Sequence, residues 1–344
     1  MHDDRIRNPL IIPIFIPNLG CPHRCIFCRQ ETITSQAGSV RREEVRSSIE
    51  KAIHSTGFDP LRRAEVAFYG GTFTGLPEDM MDEFLGAVRP FIRQGLISSI
   101  RISTRPDFLH ERHMELLKNS GVSTIEIGAQ SMDNRVLGLA NRGHSAEDTI
   151  RSVGLLKNYG FKVGIQLMPG LPGDSENGFL RTIDTIVDLR PDMARLYPTL
   201  VIRGTALEKH YLDGQYRPLS LEDAVRQCAE SCIRLEGNGI PVIRIGILNA
   251  PALAEKGEIV AGPWHASFGY LVRCNIYWRR IEPFLPARGE ADQIGLRVSR
   301  RELPLVRGFR NTGLRMIEEK TGAKVRRIRP DDSLAFGEIA VEKL

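Results

Sequence analysis

Three cysteines fall within eight residues of one another, at Cys21, Cys25 and Cys28, in the string Gly20-Cys21-Pro22-His23-Arg24-Cys25-Ile26-Phe27-Cys28. Thiolates spaced by three and then two residues can converge from one tight loop on a single metal centre. A structural zinc closes its shell with four ligands, whereas only three cysteines are local here, and His23 between them has no defined direction. On a cubane iron–sulfur cluster, three cysteines leave one iron without a protein ligand, open to chelation by a substrate or cofactor. The plain alternative is one buried helical stripe, because 21, 25 and 28 are also i, i+4 and i+7. Gly20 and Pro22 argue for a loop instead. The other three cysteines, Cys228, Cys232 and Cys274, include a helical i, i+4 pair beside Val225 and Leu235, which reads as buried core.

These thiols need a frame to position them, and the chain supplies a repeating alternation. Apolar and β-branched runs predict strands over 10–16, 65–69, 100–104, 123–127, 162–168 and 194–200, with one more over 241–247. Helical spacing predicts helices over 42–54, 77–92, 110–119, 145–159, 176–189 and 221–236. Ser145 followed by Asp148 is a capping-box pattern, and Pro77 with Glu78 and Asp79 suits a helix start. Six or seven β–α units imply an α/β fold with a parallel sheet and right-handed crossovers. The units end near residue 250, the length of a (β/α) barrel, so a partial or near-complete parallel barrel is expected, with an open doubly wound sheet as the alternative. In either, the site lies at the C-terminal ends of the strands.

The 344 residues are 42% hydrophobic and 26% charged, an ordinary globular composition that excludes disorder and a coiled coil. No apolar run is long enough to span a membrane, and the stretch 10–19 is broken by Pro13 and Pro17, so neither a transmembrane helix nor a signal peptide is expected. Clustered free thiols point to a cytoplasmic protein. The net charge of +5 is uneven: residues 279–329 hold fourteen Lys/Arg against six Asp/Glu, which leaves the remainder at about −3. We therefore divide the chain into a core barrel, 1–250, and a small basic α+β module, 251–344, with a helix over 303–320 and a strand over 325–328. The basic module could meet RNA phosphates, or be a solvated face.

Cys-x3-Cys-x2-Cys with Phe27 before the third cysteine, after the first strand of a β/α barrel, resembles the radical S-adenosylmethionine superfamily. The resemblance implies a [4Fe–4S] cluster on Cys21, Cys25 and Cys28, its open iron binding the amino and carboxylate groups of S-adenosylmethionine. Reductive cleavage of that cofactor then yields a 5′-deoxyadenosyl radical that takes hydrogen from a substrate. It also implies an electron donor such as a flavodoxin or ferredoxin. Gly70-Gly71-Thr72 stands where the superfamily has a Gly-Gly-Glu-like motif at the cofactor amino group, with Thr72 in place of the glutamate. Ser103, at the head of Ser103-Thr104-Arg105-Pro106-Asp107, ends the third strand. Gln130 ends the fourth, placed for a ribose or carboxylate. Arg142 is matched to a carboxylate by its planar fork, and Met168 offers an apolar edge to adenine. Each has a structural alternative: strand-end turns for the glycine pair and Ser103, a solvated charge for Arg142, a core residue for Met168.

The strings Ser103–Asp107, Glu126-Ile127-Gly128-Ala129-Gln130-Ser131-Met132, Arg142-Gly143-His144 and Tyr197-Pro198-Thr199-Leu200 resemble a narrower group over about 10–245. That group is the radical half of the Elongator catalytic subunit and its bacterial relatives, and more distantly oxygen-independent coproporphyrinogen oxidase. The resemblance makes transfer RNA a candidate substrate. The Elongator subunit continues into an acetyltransferase domain, for which the ~95 residues after the barrel are too few. A radical enzyme of a tetrapyrrole or other small metabolite, and a non-catalytic zinc-stabilised RNA-binding protein, are the alternatives. No residue is singled out as catalytic; Trp264 and His265 read equally as substrate contacts or a packed turn.

Overall fold

The structure, a computed structural model, describes residues 9–22, 24–31, 40–247, 253, 257–335 and 337–344. Six strands pair in parallel in the order they occur: β1 (Leu10–Phe15), β2 (Ala64–Tyr69), β3 (Ser99–Thr104), β4 (Val122–Gln130), β5 (Lys162–Leu167) and β6 (Met193–Leu196). The two-residue β7 (Val201–Ile202) lies outside this sheet, and β8 (Val242–Ile245) joins it beside β6. A strand order that never reverses has no switch point, so right-handed crossovers place every connecting helix on one face and the sheet curls toward the other. The doubly wound alternative is thereby excluded. Arg195 of β6 donates to the phenol oxygen of Tyr69 in β2 at 2.7 Å. At about 4.8 Å per strand, a flat sheet would hold those strands roughly 19 Å apart. The contact therefore crosses the interior of a curled sheet. β1 and β8 remain its two edges, which makes the fold a partial parallel (β/α) barrel.

The helices that clad the barrel start and stop on local signals. At the helix Ala146–Asn158, the Ser145 hydroxyl accepts from the Asp148 amide at 3.2 Å and the Asp148 carboxylate accepts from the Ser145 amide at 2.7 Å, the expected capping box. The helix Glu176–Leu189 is capped by Ser175 and ends where Arg190 turns left-handed at φ 47°. It buries Phe179, Ile183 and Ile186, at i, i+4 and i+7, against the sheet. Each such side chain contributes about 1.5–3 kcal/mol, and Phe179→Ala would cost about 3–5 kcal/mol.

By their internal packing, the described residues group into two compact units, 1–219 with 234–263, and 220–233 with 264–344. The helix Leu221–Gly237 thus begins in the second unit, although its position in the chain assigned it to the barrel. In the first unit, β7 pairs antiparallel with β9 (Ile259–Ala261). In the second, β10 (Gln293–Val298) is central, parallel to β11 (Lys324–Pro330) and antiparallel to β12 (Ile339–Lys343). Tyr277 and Ile281 from the helix Phe268–Ile281 and Ile317 from the helix Thr312–Thr321 cover one sheet face, packing on Ile294, Leu296 and Val298.

Three expectations need correction. The helix over 303–320 is two helices, Leu303–Arg307 and Thr312–Thr321. Gly308, Arg310 and Asn311 between them have φ of 68°, 52° and 61°, the left-handed region that ends a helix. The strand over 194–200 stops at Leu196, because Pro198 cannot donate to a ladder. The helices Asn134–Leu139, Ala206–Leu212 and Phe268–Ile281 and the strands β7, β9, β10 and β12 were not anticipated.

Candidate functional site

The cysteine loop leaves the end of β1 and is fixed largely by main chain. Leu19 N–H donates to Ile16 O at 3.2 Å, Cys21 N–H to Asn18 O at 3.2 Å and Cys28 N–H to Cys25 O at 3.0 Å. The loop after β2 locks against its base. Thr72 N–H donates to Leu19 O at 2.8 Å, and a Cβ on Gly71 would sit 2.3 Å from that same oxygen. With φ at 63°, Gly71 is a position only glycine fills without strain. Gly70 shares the left-handed conformation at φ 77° and abuts the Gln30 side chain. Gln30 clamps both loops: its Oε1 accepts from Asn18 N–H at 2.6 Å and from Gly71 N–H at 2.7 Å. Thr72 is fully buried, its hydroxyl 3.2 Å from the Cys21 sulfur. The glycine pair therefore brings the second loop's backbone onto the first.

Arg142 reaches the loop from the far side. Its Nη1 donates to the Cys25 sulfur at 3.0 Å, and its Nη2 donates to Gly128 O. Gly128 lies in a β-bulge of β4, where the register against β5 slips between Ile127 and Gln130. A Cβ on Gly128 would meet Gln130 Nε2 at 2.8 Å and Arg142 Nη2 at 3.4 Å. The bulge sets Gln130 at φ 68° with its side chain buried and accepting from Gln166 Nε2 at 3.2 Å. Ser103 is half-buried on β3 opposite Glu126 in register. Met168 belongs to an apolar cluster with Val136, Ala140 and Leu171, against which Phe27 and Tyr197 pack. Phe27 thus packs on the cluster that holds Met168, Cys25 meets Arg142 and Cys21 meets Thr72. His23 lies outside the described residues.

All six cysteines are free thiols. Burial pushes Cys28 up to about 12 and raises Cys21, and charge on neighbouring thiols would raise each further; Arg142 acts against both shifts. Cys21 and Cys28 thus lie near enough to Cys25 to sense it, and burial disfavours their thiolates unless concentrated positive charge, which a metal centre supplies, stands beside them. Among the described residues, no three His, Cys, Asp or Glu side chains already stand gathered for a metal ion. The donor set still fits an iron–sulfur cluster in kind: three cysteines on one short loop, one already hydrogen-bonded to a guanidinium. His144 is held neutral, its pKa lowered to about 4 by burial and then by Arg142. Its Nε2 lies 3.2 Å from Ala129 O, while its buried Nδ1 has no partner among the described residues.

Cys228 and Cys232 are fully buried, as expected of core residues. His265 packs edge-on against Phe309, centroids 4.8 Å apart, and its Nδ1 accepts from Ser267 N–H at 2.9 Å, contacts that fit the packed-turn reading of that string.

Sequence reasoning missed Gln30, Gln166 and a set of charged residues inside the barrel. Arg101 bonds Glu126 at 2.7 Å and Glu65 at 2.8 Å. Arg195 bonds the same Glu126 oxygen at 2.8 Å, donates to Tyr69, and reaches the Tyr197 hydroxyl at 3.3 Å. The usable signal was alternation: residues 101 and 103, or 195 and 197, point the same way, so a charged residue two before a site residue also faces inward.

A thiol-bearing loop after the first strand, at the open end of a partial parallel barrel, defines a class of cofactor-dependent barrel enzyme. Residues 15–186 match the family described as Radical SAM superfamily, and residues 191–277 match the Radical_SAM C-terminal domain. The chain belongs to the radical SAM superfamily and is an enzyme of it; a [4Fe–4S] cluster and S-adenosylmethionine are its family's cofactors. It is 29% identical over 260 residues to a tRNA uridine(34) acetyltransferase of Methanocaldococcus infernus, covering 64% of this chain and 48% of that protein. It is 33% identical over 190 residues to Elongator complex protein 3 of Mus musculus, covering 48% of this chain and 34% of that one. The fold resembles that of the archaeal Methanocaldococcus infernus Elp3, at a TM-score of 0.61 and 24% identity over 81% of this chain and 64% of that chain. The chain spans about half the length, or less, of these curated relatives. Among the described residues, no helix is long and apolar enough to cross a membrane.

Proposed function

We propose that this enzyme holds its cluster on Cys21, Cys25 and Cys28 and acts at the mouth of the barrel on an RNA substrate, transfer RNA first. The observation that carries the cluster assignment is the three-cysteine loop held between the Gly70–Thr72 turn and Arg142, whose guanidinium lies 3.0 Å from the Cys25 sulfur. Bound there, the cluster would supply one electron to split the sulfonium of S-adenosylmethionine, and the resulting 5′-deoxyadenosyl radical would take hydrogen from the substrate.

The chain's own residues orient and shield. Thr72 and Arg142 donate toward the thiolates and lower the cost of burying their charge. Gln130 and Gln166 present amide groups on adjacent strands for the cofactor's ribose or carboxylate. Phe27 and Met168 form the apolar wall expected at its adenine, which keeps water from a reactive intermediate. Ser103 faces the same interior. An electron donor of the flavodoxin or ferredoxin type and a cytoplasmic setting complete the reading.

The RNA assignment is supported by the names of the relatives and by the basic second unit, where Arg326, Arg327 and Arg329 lie on or beside the exposed face of β11. Anaerobic reconstitution should give a brown protein with about four irons per chain, forming 5′-deoxyadenosine with a reductant. A colourless protein that cleaves no cofactor would overturn the cluster assignment. Transfer RNA binding should weaken linearly in log salt, and Gln at 326, 327 and 329 should flatten that slope by somewhat under one unit for each phosphate no longer neutralised. Salt-independent binding would point to a small-metabolite substrate instead.

A further inference from the structure

Tyr69, Arg195 and Tyr197 meet inside the barrel, and holding a cluster or S-adenosylmethionine does not account for them. We propose that they form a substrate-anchoring site that grips a carbonyl or carboxylate oxygen through three hydrogen-bond donors. The proposal rests on reading the barrel mouth as the place where hydrogen is taken.

The placement comes first. Tyr69 is the last residue of β2, directly before Gly70 and Gly71. Tyr197 follows β6 and packs on the same apolar cluster as Phe27, the neighbour of Cys28. A group bound beside these phenols is therefore bound beside the cofactor loop. Arg195 spans the interior between them, its guanidinium carbon 4.9 Å from the centre of the Tyr69 ring. All three are largely buried yet keep some exposure, so they line the interior without being fully sealed into the core.

Hydrogen-bond accounting defines the chemistry. Arg195 Nη2 serves Glu126 and the Tyr69 oxygen, and Nη1 serves the Tyr197 oxygen. Its Nε–H is buried and has no partner among the described residues. Each phenol oxygen accepts from Arg195, and neither phenol gives its own proton to a described residue. The two phenol O–H groups and the second Nη1–H, none of them given to a described residue, call for an acceptor oxygen. Within the network, Arg101 and Arg195 balance Glu65 and Glu126, and Arg244, paired in register with Arg195, adds one further positive charge. That balance suits a neutral carbonyl or a single carboxylate and is a poor match for a polyphosphate.

The test uses the full chain labelled with 3-fluorotyrosine, which has seven tyrosines. Tyr69→Phe and Tyr197→Phe identify two of the fluorine resonances. The labelled protein is titrated with sodium acetate and, separately, with uridine. At least one probe should move both resonances along a saturable curve, and Arg195→Met should weaken that binding about tenfold or more, the loss expected of a charged hydrogen bond. A response to acetate alone assigns a carboxylate, and one to uridine alone assigns a ring carbonyl. The site is overturned if neither probe moves either resonance, or if Arg195→Met titrates like the parent. Should Arg195→Met disturb the five remaining resonances, Arg195→Lys replaces it; it keeps the charge but removes the fork, and the same weakening is expected. These readouts need no iron and no cofactor cleavage, so failure of the cluster assignment would appear separately.

Discussion

The two units carry their charges in opposite ways. Inside the barrel, Arg101, Glu126 and Arg195 are nearly removed from water, with side chains 7%, 5% and 14% exposed, and they bond chiefly to one another. In the second unit, Arg297, Arg327 and Glu342 form a comparable triad on an open sheet face, with side chains 45%, 40% and 37% exposed. The motif is alike, two guanidinium groups on one carboxylate, but the surroundings differ. In the barrel, desolvation makes each partner depend on the others. On the sheet face, water and salt screen the pairs, so the arginines can exchange them for another anion at little cost. Charge count alone therefore says little about either unit; burial decides whether a charge orders an interior or waits for a partner.

The largest expected effect lies at the cysteine loop. Cys25→Ala should abolish iron binding and cofactor cleavage while leaving cooperative unfolding intact, as read by iron content and circular dichroism. Loss of the fold as well would mean that the thiols are structural rather than functional.

Glu126→Leu should sharpen the contrast between the units most directly. It strands Arg101 and Arg195 without their shared carboxylate and should cost about 3–5 kcal/mol in urea unfolding. A cost below about 1 kcal/mol would show that water reaches the network.

A smaller effect concerns pH. Asp174, after β5, has its pKa raised to about 6 by burial, against 3.8 for the free side chain. The folded state thus holds a proton that the unfolded chain releases. Its contribution is full below about pH 4 and is lost as pH rises through 6. Asp174→Asn should flatten the fall in stability between pH 4 and 6 relative to the parent, as melting temperatures across that window would show. An unchanged pH profile would mean that the carboxylate is solvated.

The smallest effect belongs to the second unit. Arg327→Gln removes a pair 2.8 Å long on a surface more than a third exposed, and stability should change by less than about 1 kcal/mol. A loss as large as that at Glu126 would erase the distinction between the units.

Much of the barrel was legible because its signals are local. Every strand and helix expected up to residue 189 falls within a few residues of the observed bounds, only the short α-helix Asn134–Leu139 being missed, and the Ser145 capping box is present as the sequence implies. The second unit was harder to read. The run from 303 to 320 has helical spacing, yet the left-handed positions at Gly308, Arg310 and Asn311 interrupt it. The apolar residues of its strands are interrupted by arginines at 297, 326, 327 and 329. Of the site, the cysteines, the glycine pair and Arg142 were visible as types at recognisable spacings. Gln30 was not, because a glutamine that caps two backbone amides from separate loops leaves no mark in its own neighbourhood.

Sequence alone determined what depends on neighbours along the chain: the β–α alternation, the helix caps, and a loop that brings three thiols together because they lie within eight residues. Only the tertiary structure decided which distant residues share an interior. Alternation tells that Tyr69, Glu126 and Arg195 each point to one face of a strand. Their meeting depends on how far the sheet curls, and that is set by the packing of all the helices on its other face. The same curl turns Arg195 from one charge among many into the guanidinium that bridges the barrel.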